Sequence, residues 1–206
     1  MEALLGLYAK PYDPREPVLC FDEKSKALRA DTRDPIPATK HAPRRRDYEY
    51  RRSGTANIFL AVEPKGGFRA LATTRRRTKG HFAGELKRIA ALPRYRSART
   101  LHVVLDNLNT HFASSLYETF PEQEAQRLLQ RIQFHYTPKH ASWLNMAEIE
   151  LSILSRQALL GRIPTRFDLA KRLGRWQCGR NKARAMIQWT FTKKDARNVF
   201  KYKATN

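Results

Sequence analysis

Cysteine and long apolar runs are both scarce in this chain of 206 residues. The two cysteines, Cys20 and Cys178, lie far apart and form no Cys-x-x-Cys pair, which argues against a disulfide framework and a thiolate zinc site. No stretch approaches the roughly 18 apolar residues that a membrane span requires. The first ten residues include Glu2 and only a short apolar run, so they lack the pattern of a secretory signal. We therefore expect a cytoplasmic protein with no membrane partner.

Acidic residues are also few, with 19 Asp and Glu against 40 Lys and Arg and a formal charge of +21. A surplus of this size favours a polyanionic partner, because each neutralised phosphate releases counterions and adds salt-sensitive affinity. The hydrophobic fraction of 41% excludes a disordered basic tail. The surplus is uneven, since residues 151–206 carry 14 basic and 2 acidic side chains. The sequence thus predicts a folded nucleic-acid-binding protein, with a solvated basic surface as the alternative interpretation.

Apolar runs bounded by turn residues predict an α/β fold. A Pro-Lys-Gly-Gly turn at residues 64–67 joins two of these runs into a hairpin. Apolar residues at helical spacing from Thr78 to Ala90 precede a further run, and strand, helix, strand is typical of parallel crossovers on one sheet. The predicted strands are 16–21, 57–62, 68–73, 101–105 and 132–136.

The C-terminal third reads as helical. A long helix is predicted from Ser142, as N-cap, to Leu160, and Thr165 opens another with Asp168 as its capping partner. Thr192 and Asp195 repeat that capping pattern. We divide the chain into a lead-in segment (1–15), a catalytic core (16–160) that contains an exposed basic loop (31–52), and a basic helical C-terminal extension (161–206).

Two aspartates end predicted strands at what would be one edge of the sheet. Asp22 follows the first strand and Asp106 follows the fourth, at the kind of edge where ligands gather in sheets with helical crossovers. Paired carboxylates suit Mg²⁺, and a third would complete a two-metal site. That third ligand should come from the helix opening at Ser142, where periodicity does not choose between Glu148 and Glu150.

Three blocks of sequence carry a family resemblance. They are Cys20 to Ser25 (CFDEKS), Val104 to His111 (VLDNLNTH) and Tyr136 to Glu148 (YTPKHASWLNMAE). In this order they resemble the catalytic domain of bacterial insertion-sequence transposases of the mariner-type DDE superfamily. The resemblance implies a ribonuclease-H-like mixed five-stranded sheet flanked by helices. It also implies that Asp22, Asp106 and Glu148 form a catalytic triad that binds two Mg²⁺ or Mn²⁺ ions, which selects Glu148 over Glu150.

The resemblance further implies an activity and its partners. In such enzymes water cleaves a DNA strand, and the released 3′-hydroxyl attacks target DNA. We accordingly expect double-stranded DNA (transposon ends and target), a homodimer in a synaptic complex and a nucleoid-associated location in bacterial cytoplasm. Only about 15 residues precede the first predicted strand. We therefore expect the helix-turn-helix DNA-reading region to be encoded separately, and the chain to be a catalytic fragment, a split reading frame or a degenerate copy.

Several polar residues are candidates for DNA contact. Asn107 is expected to orient a water or donate to Asp106, and His111 to contact phosphate, with turn and capping roles as the alternatives. Glu23 should point to the opposite side of the strand from Asp22 and so is not counted as a ligand. The basic candidates are Arg44, Arg45, Arg46, Arg75, Arg76, Arg77, Lys171, Arg172 and Arg175.

Two other functions remain open from the sequence. One is another nuclease on the same fold, such as a ribonuclease H or a junction resolvase. The other is a non-catalytic or degenerate nucleic-acid-binding remnant whose carboxylates are incidental.

Overall fold

A computed structural model describes residues 1–201, and its centre is a mixed five-stranded sheet with helices on both faces. This confirms the predicted fold class. Among the described helices, none is long and apolar enough to cross a membrane. The elements in chain order are α1 (Glu2–Ala9), β1 (Val18–Asp31), β2 (Tyr50–Glu63), β3 (Phe68–Thr74), α2 (Lys79–Ala90), β4 (Leu101–Leu105), α3 (Ser114–Tyr117), α4 (Glu122–Leu129), β5 (Ile132–Tyr136), α5 (Met146–Gln157), α6 (Arg166–Lys182) and α7 (Lys193–Phe200).

The strand order is β3-β2-β1-β4-β5. The first three strands form the predicted antiparallel meander, and β1, β4 and β5 run parallel to one another. The last parallel pair between β1 and β4 joins Cys20 to Val104. Asp22 and Asp106 each lie two residues beyond that pair, so the register brings the two predicted ligands to the same edge.

Both faces of the sheet are covered, because successive side chains of a strand point to opposite faces. Cys20 faces the layer that holds α1, α5 and α6, whereas Leu19 and Phe21 face the layer of α2, α3 and α4. The run 58–62 of β2 is buried throughout, as expected for a strand covered on both sides. Each fully buried large apolar side chain contributes roughly 1.5–3 kcal/mol, so both layers stabilise the sheet that carries the candidate site.

The strands on both sides of the predicted loop 31–52 are longer than the predicted strands 16–21 and 57–62. β1 continues to Asp31 and β2 begins at Tyr50, so residues 26–56 lie past the last pair with β3 at Asn57. They form an arm made of the two paired strand ends and the connection between them. Leu28 and Ala30 are buried at alternate positions, as in a strand with one covered face. Charged neighbours interrupt this apolar alternation in the sequence. Arg162 anchors the arm, since its guanidinium bonds to the Asp31 carboxylate and to three backbone carbonyls of residues 47–49.

Helix α1 lies in the segment that the sequence predicts only as a lead-in. Its side chains Leu4, Leu5 and Leu7 are nonetheless buried in the core. The Tyr8 hydroxyl donates to the Leu144 carbonyl at 2.7 Å, which connects the helix to the segment that precedes α5. The lead-in residues therefore contribute to the layer that carries Glu148.

The long helix predicted from Ser142 begins later than expected. Residues Ser142–Leu144 form a single 3₁₀ turn, and α5 is capped by Asn145 instead. The Asn145 side chain accepts from the Ala147 amide at 3.1 Å and donates to the Phe21 carbonyl at 3.0 Å. This fully buried cap thereby holds the first turn of α5, with Glu148 in it, directly against β1.

Helix α6 packs along β3, an edge strand of the sheet. The Asn181 side chain makes two hydrogen bonds with the backbone of Arg69, and Gln177 accepts from the Leu71 amide at 2.8 Å. These side chains satisfy backbone groups that an edge strand leaves unpaired. Thr165 caps this helix through the Asp168 amide, and Thr192 with Asp195 forms a full capping box on α7, as predicted.

Candidate active site

Asp22 lies on β1 two residues past the last pair with β4, where β1 is still paired with β2. Its side chain is 8% exposed and accepts from the Glu23 amide at 2.7 Å. Burial raises the pKa of Asp22, and the charges of Glu148, Asp106 and Glu23 raise it further, to about 7, although the hydrogen bond opposes them. The charges of the other two predicted ligands, Asp106 and Glu148, therefore both act on Asp22.

Asp106 is joined to a buried histidine and a second acid. His111 Nδ1 lies 2.6 Å from Asp106 Oδ1, and His111 Nε2 lies 2.8 Å from Glu23 Oε2. Burial disfavours the charged imidazole, but the hydrogen bonds to Asp106 and Glu23 outweigh it and raise the pKa of His111 to about 9. The bond from His111 in turn lowers the pKa of Asp106. A chain of three titratable groups therefore runs from β1 to the loop after β4.

The structure separates the two glutamates that periodicity leaves unresolved. Glu148 is exposed in the first turn of α5, and its charge acts on Asp22. Glu150 is fully buried and bonds to the guanidinium groups of Arg69 and Arg180 at 2.7–3.0 Å. Burial alone would raise the pKa of Glu150, but these two arginines bring it below its ordinary value. Glu150 is thus committed to an ion cluster, and Glu148 is the carboxylate of α5 available to a ligand.

The donor chemistry of this edge suits a divalent cation. Within residues 1–201, no group of three or more His, Cys, Asp or Glu side chains is already arranged to hold a metal ion. Asp22, Asp106 and Glu148 nevertheless offer oxygen donors of the kind that Mg²⁺ and Mn²⁺ take. Burial raises the pKa of Asp22 and the charges of Glu148 and Asp106 add to the effect, and a cation bound there would offset that charge.

The predicted basic contacts fall in three places. Arg75, Arg76 and Arg77 are exposed just after β3, and the charge of Arg77 helps to lower the pKa of Asp106. Arg44, Arg45 and Arg46 lie on the exposed arm. Lys171, Arg172 and Arg175 lie on α6, which packs on the outer strand β3 and not beside β4. The 75–77 segment is therefore the basic candidate whose charge acts on the carboxylates.

Four of the residues expected to touch DNA have side chains with partners inside the protein: Arg46, Arg172, His111 and Asn107. His111 has no exposed surface, so the expected phosphate contact is wrong for this conformation. Asn107 donates to the Thr137 carbonyl rather than to Asp106. Glu23 points away from Asp22, as expected, but its partnership with His111 does not follow from the sequence. Asp106 and His111 are only five positions apart, so their hydrogen bond could have been predicted from the sequence. Nothing in the sequence indicates that Glu23 is the second partner of His111.

Comparisons with known proteins identify the family and the fold of the chain. A sequence profile described as "DDE superfamily endonuclease" matches residues 17–170. No curated protein matches the chain. Among solved structures, a Mos1 mariner paired end complex with Mn has 15% sequence identity and a TM-score of 0.58, covering 89% of this chain and 54% of that chain. The Mos1 strand transfer complex has 15% identity and a TM-score of 0.55, covering 89% and 53% respectively.

The chain thus spans about half the length of the solved chains that share its fold. At such identities the structural likeness establishes the fold, and the profile match over most of the chain establishes the family. Asp22, Asp106 and Glu148 all fall inside the matched range. The protein belongs to the DDE superfamily endonuclease family.

Proposed function

We propose that this chain is the catalytic domain of a DNA transposase, which cleaves a DNA strand with water and joins the released 3′-hydroxyl to target DNA. The observation that supports the proposal is that Asp22 and Asp106 lie beyond the same last β1–β4 pair and that the charges of Asp106 and Glu148 both act on Asp22. The structural neighbours are complexes of the Mos1 transposase, one of them with a left transposon end. The surplus of basic residues supports a polyanionic substrate.

In this proposal Asp22, Asp106 and Glu148 are the catalytic residues that hold two divalent ions, Mg²⁺ or Mn²⁺. Such ions, when bound, activate the attacking oxygen and stabilise the leaving one. The protein itself supplies positioning: β1 and β4 fix the two aspartates in register, and the Asn145 cap fixes the turn that presents Glu148. Phosphoryl transfer asks for positioning and charge stabilisation more than for a nucleophilic side chain.

The first contact that we propose with the DNA backbone is made by Arg75, Arg76 and Arg77, because the charge of Arg77 already acts on Asp106. The exposed arm, with Arg44 to Arg46, is a second contact, and the outer face of α6 is a third. Two copies of the chain would hold paired transposon ends. Replacing all three arginines of 75–77 by alanine should reduce the slope of log affinity against log salt by about 0.9 for each phosphate that they neutralise.

The experiment is a nicking assay with three substrates: a transposon-end duplex, an RNA–DNA hybrid and a four-way junction, each with Mg²⁺ or Mn²⁺. We expect the DNA duplex to be nicked by the wild type. Asp106→Asn and Glu148→Gln should lower the rate by about 100-fold or more, since even indirect perturbation of a metal site costs 10- to 100-fold. Glu122→Gln removes another exposed helical glutamate and is the matched control.

Each alternative has its own outcome in this assay. Preference for the hybrid or the junction would identify a different nuclease on this fold. Equal rates for Glu148→Gln and Glu122→Gln, or no metal-dependent nicking by the wild type, would contradict the proposal and favour a binding role.

A further inference from the structure

We propose that Glu23 and His111 are positioning residues that hold Asp106 through its Oδ1 atom and leave Oδ2 as its donor to a divalent cation. This inference rests on the proposed function. It concerns two side chains that the mechanism above does not use, one of which the sequence assigns to DNA contact. Their role would be to fix the orientation of a ligand carboxylate before the metal binds.

The first support is that both ring nitrogens of His111 are engaged. The Nδ1 and Nε2 contacts of 2.6 Å and 2.8 Å lead to two carboxylates on different elements, Asp106 after β4 and Glu23 on β1. No other hydrogen bond from the described residues reaches the ring. When one ring N–H of a histidine bonds to a metal-ligand carboxylate and the other bonds to a second carboxylate, the ring has a fixed orientation. The ring then fixes the orientation of the ligand carboxylate as well.

The second support is the rigid surroundings of the ring. His111 is 0% exposed, and its ring packs against those of Phe82 and Phe21, at centroid distances of 4.8 and 6.3 Å. Its backbone is also held, because the amide donates to the Leu108 carbonyl and its carbonyl accepts from the Tyr136 hydroxyl at 2.9 Å. The imidazole therefore has one stable orientation.

The third support is that Asp106 has little else to orient it. It follows the end of β4, its side chain is 34% exposed, and its other protein contact is a 3.3 Å bond from the Leu108 amide to the same Oδ1. Among residues 1–201 no hydrogen bond to Oδ2 is formed. Without His111 the carboxylate could turn freely about its side-chain bonds, and the loss of order would appear as weaker metal binding.

Glu23 gives this arrangement a connection to the other ligand. It is the neighbour of Asp22 on β1, it points to the opposite side of the strand, and its side chain is 2% exposed. Strand β1 thus supplies one proposed ligand directly, and through Glu23 it also braces the second. A displacement of β1 would move both carboxylates together, which keeps their separation constant.

The test measures Mn²⁺ affinity by isothermal titration calorimetry, with nicking as a second readout. In His111→Gln the side-chain amide lies near the former Nε2 position, so it can bond to Glu23 but not to Asp106. In His111→Asn the shorter side chain places its amide near the former Nδ1 position, so it can bond to Asp106 but not to Glu23. We expect 10- to 100-fold weaker Mn²⁺ binding for His111→Gln, with a substantial part restored in His111→Asn. Nicking by His111→Gln should recover at saturating Mn²⁺, which a damaged fold would not allow.

Two further variants complete the design. Glu23→Gln keeps the side-chain volume and stays informative if His111→Gln does not fold, and it should also weaken Mn²⁺ binding. His102→Gln alters another buried, hydrogen-bonded histidine that lies at the opposite end of β4, and it should leave Mn²⁺ affinity unchanged.

The outcomes separate this inference from the proposed function. Wild-type Mn²⁺ affinity in a folded His111→Gln or Glu23→Gln variant, together with abolished binding in Asp106→Asn, overturns the positioning role alone. Unchanged Mn²⁺ binding in Asp106→Asn overturns both. A loss in His102→Gln equal to that in His111→Gln also overturns the positioning role, because it would mark a general effect of histidine removal.

Discussion

Replacing Glu150 should destabilise the protein far more than replacing Glu148, although both residues lie in the first half of the same helix, α5. Glu150 accepts four charged hydrogen bonds, two from Arg69 and two from Arg180, and it is fully buried together with Arg69. Glu150→Gln turns one accepting oxygen into a donor. It therefore loses about two of these bonds and leaves the guanidinium of Arg69 in the core without its counter-charge.

The magnitude follows from that geometry. A hydrogen bond to a charged group contributes about 1.5–3 kcal/mol, and breaking a buried ion pair by removing one partner costs about 3–5 kcal/mol. We expect Glu150→Gln to lower the free energy of unfolding by about 3–5 kcal/mol. With a urea m-value of about 2 kcal/mol/M, the midpoint should fall by roughly 2 M.

The assay is urea unfolding followed by circular dichroism, with Glu148→Gln as the matched control. That exposed residue should change stability by less than about 0.5 kcal/mol and still abolish nicking. A Glu150→Gln variant within about 1 kcal/mol of the wild type, or a Glu148→Gln variant as unstable as it, would refute the assignment of structural and catalytic roles to these two side chains.

Three further predictions concern other parts of the fold. Asn145→Ala removes a buried helix cap and should cost about 1–3 kcal/mol in urea unfolding; a smaller loss would mean that the cap is dispensable. Burial, and after it the charge of His102, lowers the pKa of His135 from 6.5 to about 4. The neutral His135 side chain therefore contributes to stability above pH 6.5, and this contribution is lost as the pH falls toward 4. We expect on the order of 1 kcal/mol for this partly buried pair, and His135→Asn should show a correspondingly smaller loss of stability between about pH 7 and 5. Arg162→Ala should increase hydrogen exchange in residues 32–49 without changing exchange in the sheet; unchanged exchange in the arm would show that other contacts hold it.

The elements with strong local signals could be predicted from the sequence. The hairpin of β2 and β3 followed from glycines at a turn, and β4 and β5 followed from short apolar runs that end in polar residues. The caps at Thr165 and Thr192 also depended on residues within three positions of each other. In all these cases the interactions that decide the structure are close in sequence.

The features that escaped prediction depend on distant partners. The difference between Glu148 and Glu150 comes from Arg69 on β3 and Arg180 on α6, which no helical period reveals. The partnership of Glu23 with His111 joins residues 88 positions apart. The extended arm depends on pairing between two charged segments and on Arg162, far along the chain. Such contacts arise only when the sheet brings the elements together.

The site prediction divides in the same way. Asp22 and Asp106 were both predicted at strand ends. Asp106 does follow β4, but Asp22 lies inside β1, and it is the end of the β1–β4 pairing that brings the two residues to the same edge. Glu148 depended on a family resemblance, because its own helix gave no preference. The assignment of these three residues as metal ligands stays a prediction.

The most direct test of the central claim is anomalous diffraction from crystals grown with Mn²⁺. We expect Mn²⁺ within about 2.5 Å of carboxylate oxygens of Asp22, Asp106 and Glu148. Anomalous peaks confined to other residues, or none at a Mn²⁺ concentration that saturates nicking, would contradict it.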